Sequence, residues 1–394
     1  MGERPTWLAT AARGTEPILA RELRALGAED VREESGGVAF AGRFDLALRC
    51  NLRLRTANHV LLRLASFPIA GPDELYAGAS DIPWEEHLTV RSTFAVFAHG
   101  RSEGIGHTGF AALRVKDALA DRIRGRKGER PDVDPRDPAV RVVVHLASRA
   151  ASLFLDTSGD SLHRRGYRVA QTEAPLRETL AAALVLWSGW DRRRPLCDPL
   201  CGSGTIAIEA ALLARGRAPG LGRRFGFQRW PAFGEVEARA WRAMVEEARQ
   251  EAAAGDAPVP VWASDVDRDA VEAARANAEA AGVAPLLHLS VADARRFDPP
   301  GPSGMVLANP PYGERMSPGV RALAELYRAL GRSLRPPGWV TILLSGHPSL
   351  PRLFGGRPTG RLALRNGALR CELLRWETGG RGKGKPQMGT DGHR

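Results

Sequence analysis

The chain has 394 residues, more than one hydrophobic core usually holds, and its length therefore predicts two or three domains. Apolar residues make up 43% of it, which is ordinary for a folded protein, but the longest purely apolar stretch, residues 180–187, is too short to cross a bilayer. The formal net charge of +11 favours a nucleic acid partner, because basic surfaces displace counterions from a phosphate backbone; the alternative is heavy arginine usage by the source organism.

Residues 1–50 predict a small α+β unit. A strand is expected at residues 7–10 and another at residues 38–40, after a Gly-Gly turn. Between them, apolar residues recur on one face of a helix that Thr15 caps and Gly27 ends.

Residues 51–160 predict a second unit of mixed helix and strand. Residues 94–97 have the composition of a strand, and residues 129–138 that of a loop. A hairpin is expected from strands at residues 140–146 and 152–155. The helix before that loop is expected to bury an apolar face made of Phe110, Leu113, Ala120 and Ile123.

From residue 195 the pattern becomes strand, glycine turn and helix, repeated, which is typical of an open α/β sheet. Residues 161–190 are expected to form a linker and the first helix, residues 191–377 the catalytic unit, and residues 378–394 a disordered basic tail. Strands are predicted at residues 259–263, 287–291, 305–308 and 339–344, and helices at residues 269–281 and 323–334.

A glycine turn at the start of this unit has the composition of a loop that binds a nucleoside cofactor. The string Asp-Pro-Leu-Cys-Gly-Ser-Gly-Thr occupies residues 198–205. Glycines there let the backbone approach a ligand closely, and an aspartate at the strand end is placed to meet a cationic amino group. Cofactor contacts are predicted from Asp198, Cys201, Gly202, Ser203 and Gly204, although Cys197 and Cys201 also suit packing.

Two further aspartates follow predicted strands. Asp265 is predicted to accept hydrogen bonds from both ribose hydroxyls, with Asp267 as the cap of the next helix. Asp293 is predicted to face the adenine amino group, and its alternative role is that of a turn residue. Carboxylates at neighbouring strand ends lie at one edge of a parallel sheet, so these positions indicate a single cofactor site.

The tetrapeptide Asn309-Pro310-Pro311-Tyr312 is the most specific chemical signal. An exocyclic amine on a base is a poor nucleophile because its lone pair is delocalised into the ring. The Asn309 side-chain carbonyl and the Pro310 backbone carbonyl can each accept one amine hydrogen, the prolines fix the backbone, and Tyr312 can stack on the base. With the glycine turn, this string predicts an enzyme that methylates a base amine with S-adenosylmethionine, Asn309 also contacting the cofactor.

Arginine placement predicts where RNA is bound. Arg223 and Arg224 fall in an acid-free stretch interleaved with Phe225, Phe227 and Trp230, a combination that suits stacking on bases and pairing with phosphates. Residues 352–370 form another acid-free run, with arginines at 352, 357, 361, 365 and 370.

The remaining chemistry-bearing residues predict no metal centre. The four cysteines lack paired spacing, so neither a zinc site nor a disulfide framework is expected, and the nine histidines do not cluster. The first residues contain no apolar signal core, which together with the unpaired cysteines predicts a cytoplasmic protein without membrane association.

With these residues in place, the chain resembles the THUMP-domain class of RNA methyltransferases, and within it the guanine-N2 methyltransferases that act on 23S ribosomal RNA. The resemblance runs from about residue 6 to residue 376 and is carried by residues 11–16 (AARGTE), 81–84 (DIPW), 115–118 (VKDA), 156–168 (DTSGDSLHRRGYR), 174–183 (APLRETLAAA), 309–315 (NPPYGER) and 366–371 (NGALRC).

The resemblance implies an N-terminal ferredoxin-like unit, a THUMP fold that docks RNA, and a Rossmann-like class I methyltransferase domain with S-adenosylmethionine as cofactor. It places Arg164, Arg165 and Arg168 where the domains join, either in contact with RNA or in inter-domain ion pairs. Some relatives carry a second methyltransferase domain that makes 7-methylguanine, and from this chain only the N2 activity is expected.

Other functions stay open at this point. A tRNA guanine-N2 methyltransferase would have the same architecture and the same NPPYGER string. A DNA adenine methyltransferase would share the tetrapeptide but would not explain the THUMP-like segment. A non-catalytic RNA-binding assembly factor should have lost Asp198, Gly202, Gly204 or Asn309, and all four are intact. Either 23S rRNA or its assembly intermediate is the expected partner.

Overall fold

The computed structural model describes residues 5–170, 176–254, 261–312 and 319–378. The first half forms, in chain order, β1 (Thr6–Thr10), α1 (Glu16–Ala25), β2 (Glu29–Glu34), β3 (Gly37–Ala41), α2 (Phe44–Arg53), β4 (His59–Pro68), α3 (Pro72–Ser80), β5 (Phe94–Ser102), α4 (Thr108–Lys127), β6 (Val140–Ser148) and β7 (Ala150–Asp156).

The second half forms α5 (Glu178–Ser188), β8 (Leu196–Asp198), α6 (Thr205–Ala214), α7 (Glu235–Ala254), β9 (Val261–Asp265), α8 (Arg268–Ala280), β10 (Leu287–Val291), β11 (Gly304–Ala308), α9 (Val320–Ser333), β12 (Trp339–Ser345), α10 (Leu350–Phe354), β13 (Gly360–Asn366) and β14 (Leu369–Glu377). None of the helices in these described ranges combines the length and apolar character that a bilayer crossing requires.

The seven strands of the first half form one sheet in the order β2-β3-β1-β4-β7-β6-β5. Strand β4 pairs antiparallel with both β1 and β7, so the two predicted leading units share a continuous sheet. The large side chains Trp7, Phe40 and Phe94 belong to one buried cluster that spans both units. The domain boundary at residue 50 therefore stays a prediction. The sheet is continuous across it, because β4 is hydrogen-bonded to strands of both predicted units.

Most elements predicted for this half are present, and two details are wrong. Helix α4 buries Ala120 and Ile123 as predicted, but it leaves Phe110 39% and Leu113 52% exposed. The buried face contains Ala111, Ala118 and Val115 instead. Half of the buried residues on this helix are alanines, which a search for large apolar residues does not weight. Thr15 precedes α1, but its hydroxyl donates to the Ala12 carbonyl and caps no helix N–H group.

The second sheet has the order β10-β9-β8-β11-β12-β14-β13. Strands β8 to β12 pair parallel, whereas β14 runs antiparallel to β12 and forms a hairpin with β13 that the sequence pattern did not predict. Strand order reverses between β8 and β11, and ligands of open α/β sheets bind at the carboxyl ends of strands beside such a switch point.

The segment between α6 and β9 packs against the first half of the chain. Phe225, Phe227 and Trp230 are buried in the same cluster as the first sheet, and the Trp230 ring stacks on Phe44 with centroids 6.2 Å apart. The predicted stacking of these aromatic residues on RNA bases is therefore wrong, because folding uses their apolar faces. The predicted tail falls outside the described residues from position 379 onward.

Candidate active site

A cavity of about 320 Å³ opens at the switch point of the second sheet. It brings together most of the residues that the sequence singled out, namely Asp198, Cys201, Gly202, Ser203, Asp265, Asp293, Asn309 and Pro311. Gly204, Pro310 and Tyr312 do not line it. The glycine turn, the acidic strand ends and the Asn-Pro-Pro-Tyr segment thus form one site, as the strand pattern predicted.

The glycine turn connects β8 to α6, and its backbone adopts the left-handed conformation that favours glycine. Gly202 and Gly204 both have positive φ angles, of 50° and 82°. The Gly202 N–H donates to Asp265 Oδ2 at 2.9 Å, which fixes the turn next to β9. A Cβ atom on Gly204 would come within 2.9 Å of the Ala274 Cβ, so Gly204 serves the packing of α6 on α8.

Asp198 presents a buried carboxyl group to the cavity. Asp198 is 1% exposed, and one of its carboxyl oxygens accepts the Leu200 N–H at 3.4 Å. Burial, followed by the nearby negative charge of Asp265, raises the pKa of Asp198 to about 8. A ligand cation placed against this carboxyl would favour its ionised form.

Of the other aspartates, Asp267 caps a helix, whereas Asp265 and Asp293 line the cavity. Asp267 caps α8 by accepting the Asp269 N–H at 2.9 Å, as predicted. Asp265 lines the cavity and accepts the Asp267 N–H at 3.1 Å. Asp293 also lines the cavity, but it accepts the Arg295 N–H and pairs with the Arg295 guanidinium at 2.7 Å, which lowers the pKa of Asp293. Asp293 is therefore a turn residue that also lines the cavity.

The Asn-Pro-Pro-Tyr segment follows β11, and its first residue, Asn309, has a side-chain acceptor without a hydrogen-bond partner among the described residues. This acceptor, Asn309 Oδ1, is buried. The Pro311 carbonyl accepts the Tyr327 hydroxyl at 2.8 Å, and the Tyr312 hydroxyl accepts the Asn366 side-chain amide at 3.1 Å. The pKa of Tyr312 is raised, chiefly by burial. The backbone is thus fixed from two sides while the Asn309 oxygen stays available.

Arg168 and Asn277 make hydrogen bonds that hold the glycine turn in place. The sequence did not predict either residue at the cofactor site. Arg168 donates to Glu178 at 2.9 Å, to the Leu176 carbonyl at 2.9 Å and to Thr205 at 3.2 Å. Asn277 on α8 donates to the Ser203 carbonyl at 3.1 Å. No pattern in the sequence marks Asn277, since its partners lie far away in the chain.

The five arginines predicted to bind RNA differ in availability. Arg165 is 3% and Arg168 14% exposed in their side chains, and both are engaged in ion pairs, so neither is free for RNA. The guanidinium of Arg223 donates to the backbone carbonyls of residues 160, 161 and 164. Arg164 is 70% exposed, and Arg224 is also exposed. For Arg165 and Arg168 the structure favours the alternative role of ion pairing.

Arg165 belongs to a buried charge cluster between the two halves of the chain. Its guanidinium lies 3.6 Å from Glu209 on α6, and Tyr167 donates to the same carboxyl oxygen at 3.1 Å. Burial raises the pKa of Glu209, and the positive charges of Arg165 and Arg55 act against this shift. Arg165 also donates to the Arg55 carbonyl, and it thereby joins α6 to the loop between α2 and β4.

The described residues contain no group of three or more histidine, cysteine, aspartate or glutamate side chains arranged to hold a metal ion. All four cysteines are free and buried.

The fold is that of a class I methyltransferase domain preceded by ferredoxin-like and THUMP domains, as predicted. Residues 165–375 match the RMKL-like methyltransferase domain, residues 6–61 the RlmL ferredoxin-like domain, and residues 70–156 the THUMP domain. Because the first match covers more than half of the chain, the protein belongs to the RMKL-like methyltransferase domain family.

Known proteins resemble the chain over nearly its whole length. It is 44% identical over 383 residues to the ribosomal RNA large subunit methyltransferase K/L of Syntrophotalea carbinolica, an alignment that covers 94% of this chain and 53% of the relative. The chain thus spans about half the length of the curated relatives it matches.

Two solved structures share the fold. One is a possible methylase from Clostridium difficile 630, with a TM-score of 0.89, 28% identity and coverage of 97% of this chain and 100% of the other. The other is SMU.472, a candidate methyltransferase in complex with SAH, with a TM-score of 0.86, 30% identity and the same coverage.

Proposed function

We propose that this protein transfers a methyl group from S-adenosylmethionine to the exocyclic N2 amine of a guanine in 23S ribosomal RNA. Family membership supports methyl transfer, and the names of the curated relatives support RNA of the large ribosomal subunit. The observation that carries the chemistry is the buried Asn309 Oδ1, an acceptor in the cavity lining that lacks a partner among the described residues.

The residues around the cavity fit S-adenosylmethionine. Asp198 would hold the ammonium group, because its buried carboxyl has no cationic partner among the described side chains. Asp265 would hold the ribose and Asp293 the adenine amine. The SAH complex of SMU.472 supports this cofactor. When bound, S-adenosylmethionine supplies a methyl group on a positively charged sulfur, which departs as a neutral thioether.

The protein's task is to make the guanine amine nucleophilic and to aim it. Asn309 Oδ1 and the Pro310 carbonyl each accept one N2 hydrogen, which concentrates the nitrogen lone pair on the side facing the methyl group. Neither acceptor is a base at neutral pH, so the surplus proton is lost to water after the C–N bond forms. The anchored Pro311 carbonyl keeps Asn309 aligned throughout.

In this proposal, exposed arginines where the leading domains meet the catalytic domain position the RNA through phosphate contacts. Arg164 and Arg224 are exposed and have the charge to contact phosphates, and Arg224 lies in a pocket of about 460 Å³ together with Arg136 and Arg141. Ribosomal RNA as substrate agrees with the predicted cytoplasmic location, which stays a prediction. Methylation of tRNA by the same site is the second candidate, and the chemistry would be unchanged.

The test is methyl transfer from labelled S-adenosylmethionine to purified 23S rRNA and to tRNA in parallel, followed by nucleoside analysis. Label in N2-methylguanosine from rRNA alone is the expected result. Label from tRNA alone would keep the reaction and replace the substrate. Label in a nucleoside methylated on a ring atom or on the ribose would contradict the role given to the Asn-Pro-Pro-Tyr segment, whereas label in N6-methyladenosine would keep that role and replace guanine as the target. No label on either RNA or on pre-ribosomal particles would contradict the proposal.

A further inference from the structure

A second cavity, of about 530 Å³, lies between the leading unit and the β13–β14 hairpin. Its walls are the loop after β1, the segment after β12 and both strands of the hairpin. Three arginines, Arg13, Arg365 and Arg370, line it, and we call these residues and the space between them the arginine groove. Its residues come from both halves of the chain, so the groove exists only in the folded full-length arrangement.

The arginine groove has a surplus of positive charge. Within the described residues, none of its three guanidinium groups has an acidic partner. The one carboxylate in the lining, Glu372, pairs with Arg361 at 3.6 Å. Arg365 and Arg370 stand directly opposite each other in the hairpin, a placement in which like charges are destabilising. An anion bound between them would relieve that repulsion.

The groove is held in place by the backbone. The Arg365 N–H donates to the Arg13 carbonyl at 2.8 Å, which joins the leading unit to β13. Gly14, with a φ of 93°, approaches so closely that an added Cβ would lie 2.1 Å from the Ala363 carbonyl oxygen. A carbonyl cannot yield by that amount, so only glycine permits this contact. The positions from which Arg13 and Arg365 extend are thus set by the fold.

Tyr312 lies between the groove and the cofactor cavity. The Cys371 Sγ is 3.9 Å from its hydroxyl, and a Cβ on Gly346 would fall 2.6 Å from its ring; both neighbours line the groove. Asn309 and Pro311, just before Tyr312 in the chain, line the cofactor cavity. A nucleotide whose base reaches Asn309 would therefore have its backbone near the groove.

We propose that the arginine groove binds the phosphodiester backbone of the RNA strand beside the target base, an inference that rests on the proposed RNA methylation. Guanidinium groups pair with phosphate oxygens in a planar, two-pronged geometry. Three arginines from two domains would fix the register of the strand without reading its sequence, while Tyr312 and Asn309 hold the base.

The experiment measures binding of a labelled single-stranded RNA as a function of salt between roughly 50 and 200 mM. The triple variant Arg13→Ala, Arg365→Ala, Arg370→Ala is compared with the wild type. Each phosphate contact contributes about 0.7 to the slope of log affinity against log salt concentration, so we expect the slope to fall by about 2. Affinity for S-adenosylmethionine, measured by calorimetry, should not change.

A matched control removes three exposed arginines that do not line the groove, with the substitutions Arg239→Ala, Arg242→Ala and Arg332→Ala. The proposal that the groove binds RNA would be overturned if the salt dependence of affinity fell equally in this control. It would also be overturned if the salt dependence of the groove variant were unchanged. If the groove variant fails to fold, Arg370→Ala alone, at an exposed strand position, should lower the slope by about 0.7. If the wild type and the groove variant differ in slope as expected but the wild type methylates no RNA, the proposed function is overturned and the RNA-binding role of the groove is kept.

Discussion

Replacement of Asn309 by alanine isolates the group on which the chemistry depends. The buried Oδ1 has no partner among the described residues, so the resting protein carries the cost of a desolvated acceptor, about 1–3 kcal/mol. We expect the free energy of unfolding of Asn309→Ala to be unchanged or up to about 1 kcal/mol higher, because that unpaired acceptor is removed.

Turnover should respond in the opposite direction. Loss of a positioned polar group that acts in the transition state typically costs about 3–4 kcal/mol, which corresponds to a decrease in rate of about 100- to 1,000-fold. The cofactor is held mainly by Asp198, Asp265 and the glycine turn in this account, so its affinity should stay within about threefold of wild type. Asn309→Asp keeps acceptor oxygens at the position and should retain more activity than Asn309→Ala.

The assay is single-turnover methyl transfer to RNA with labelled S-adenosylmethionine, together with calorimetric cofactor binding and urea unfolding on the same preparations. A rate within threefold of wild type for Asn309→Ala would refute the hydrogen-bond mechanism. An equal fall in cofactor affinity would instead assign Asn309 to cofactor binding.

Three further predictions concern Arg168, Arg165 and Asp198. Arg168→Ala should weaken S-adenosylmethionine binding by about tenfold or more, because the charge-assisted hydrogen bonds that hold the glycine turn are lost; unchanged calorimetric affinity would contradict this role. Arg165→Ala should lower the free energy of unfolding by about 3 kcal/mol in urea, because Glu209 is left without its ion pair, while the salt dependence of RNA binding stays the same; the reverse pattern would restore Arg165 to the RNA interface. The pKa of Asp198 is about 8 in the free protein, so below that pH its carboxyl is protonated and binding of a cationic amino group must release the proton. Affinity for S-adenosylhomocysteine should therefore rise nearly tenfold per pH unit below about pH 7, by about 50-fold in total between pH 6 and 8, and level off above about pH 9. The profile should be flat for Asp198→Asn and for 5′-methylthioadenosine, which lacks the amino group.

That these residues line one cavity was predictable, because they follow strand ends in a regular α/β pattern. Asp198 and Asp265 end strands, and Asn309 and Asp293 follow strands by one and two residues; parallel strands bring such positions to one edge. Their local sequence therefore carries their spatial relation. Asp267 as a helix cap was predictable for the same reason, since its partner is two residues away.

The contacts between the halves of the chain were not predictable from local patterns. Phe225 and Trp230 lie in the catalytic half of the sequence but complete the core of the first sheet. Arg168 looks like an RNA contact in the sequence and instead holds the glycine turn. In each case the partner is dozens to hundreds of residues away, and neither periodicity nor spacing encodes such a pairing.

The arginine groove was also predictable only in part from the sequence. The acid-free run of residues 352–370 indicated a basic surface, and Arg365 and Arg370 do belong to one. Arg13, which completes it, lies in the loop after β1, more than 300 residues away in the chain, and the hydrogen bond from Arg365 to its carbonyl and the close approach of Gly14 to Ala363 bring it there.

The central claim is methylation of a guanine N2 amine in 23S rRNA. It is tested most directly by nucleoside analysis of 23S rRNA from cells that lack this protein, complemented with the wild type or with Asn309→Ala. We predict one N2-methylguanosine that disappears on deletion, returns with the wild type and stays absent with Asn309→Ala. An rRNA modification profile identical in all three strains, or a loss confined to tRNA, would contradict the account.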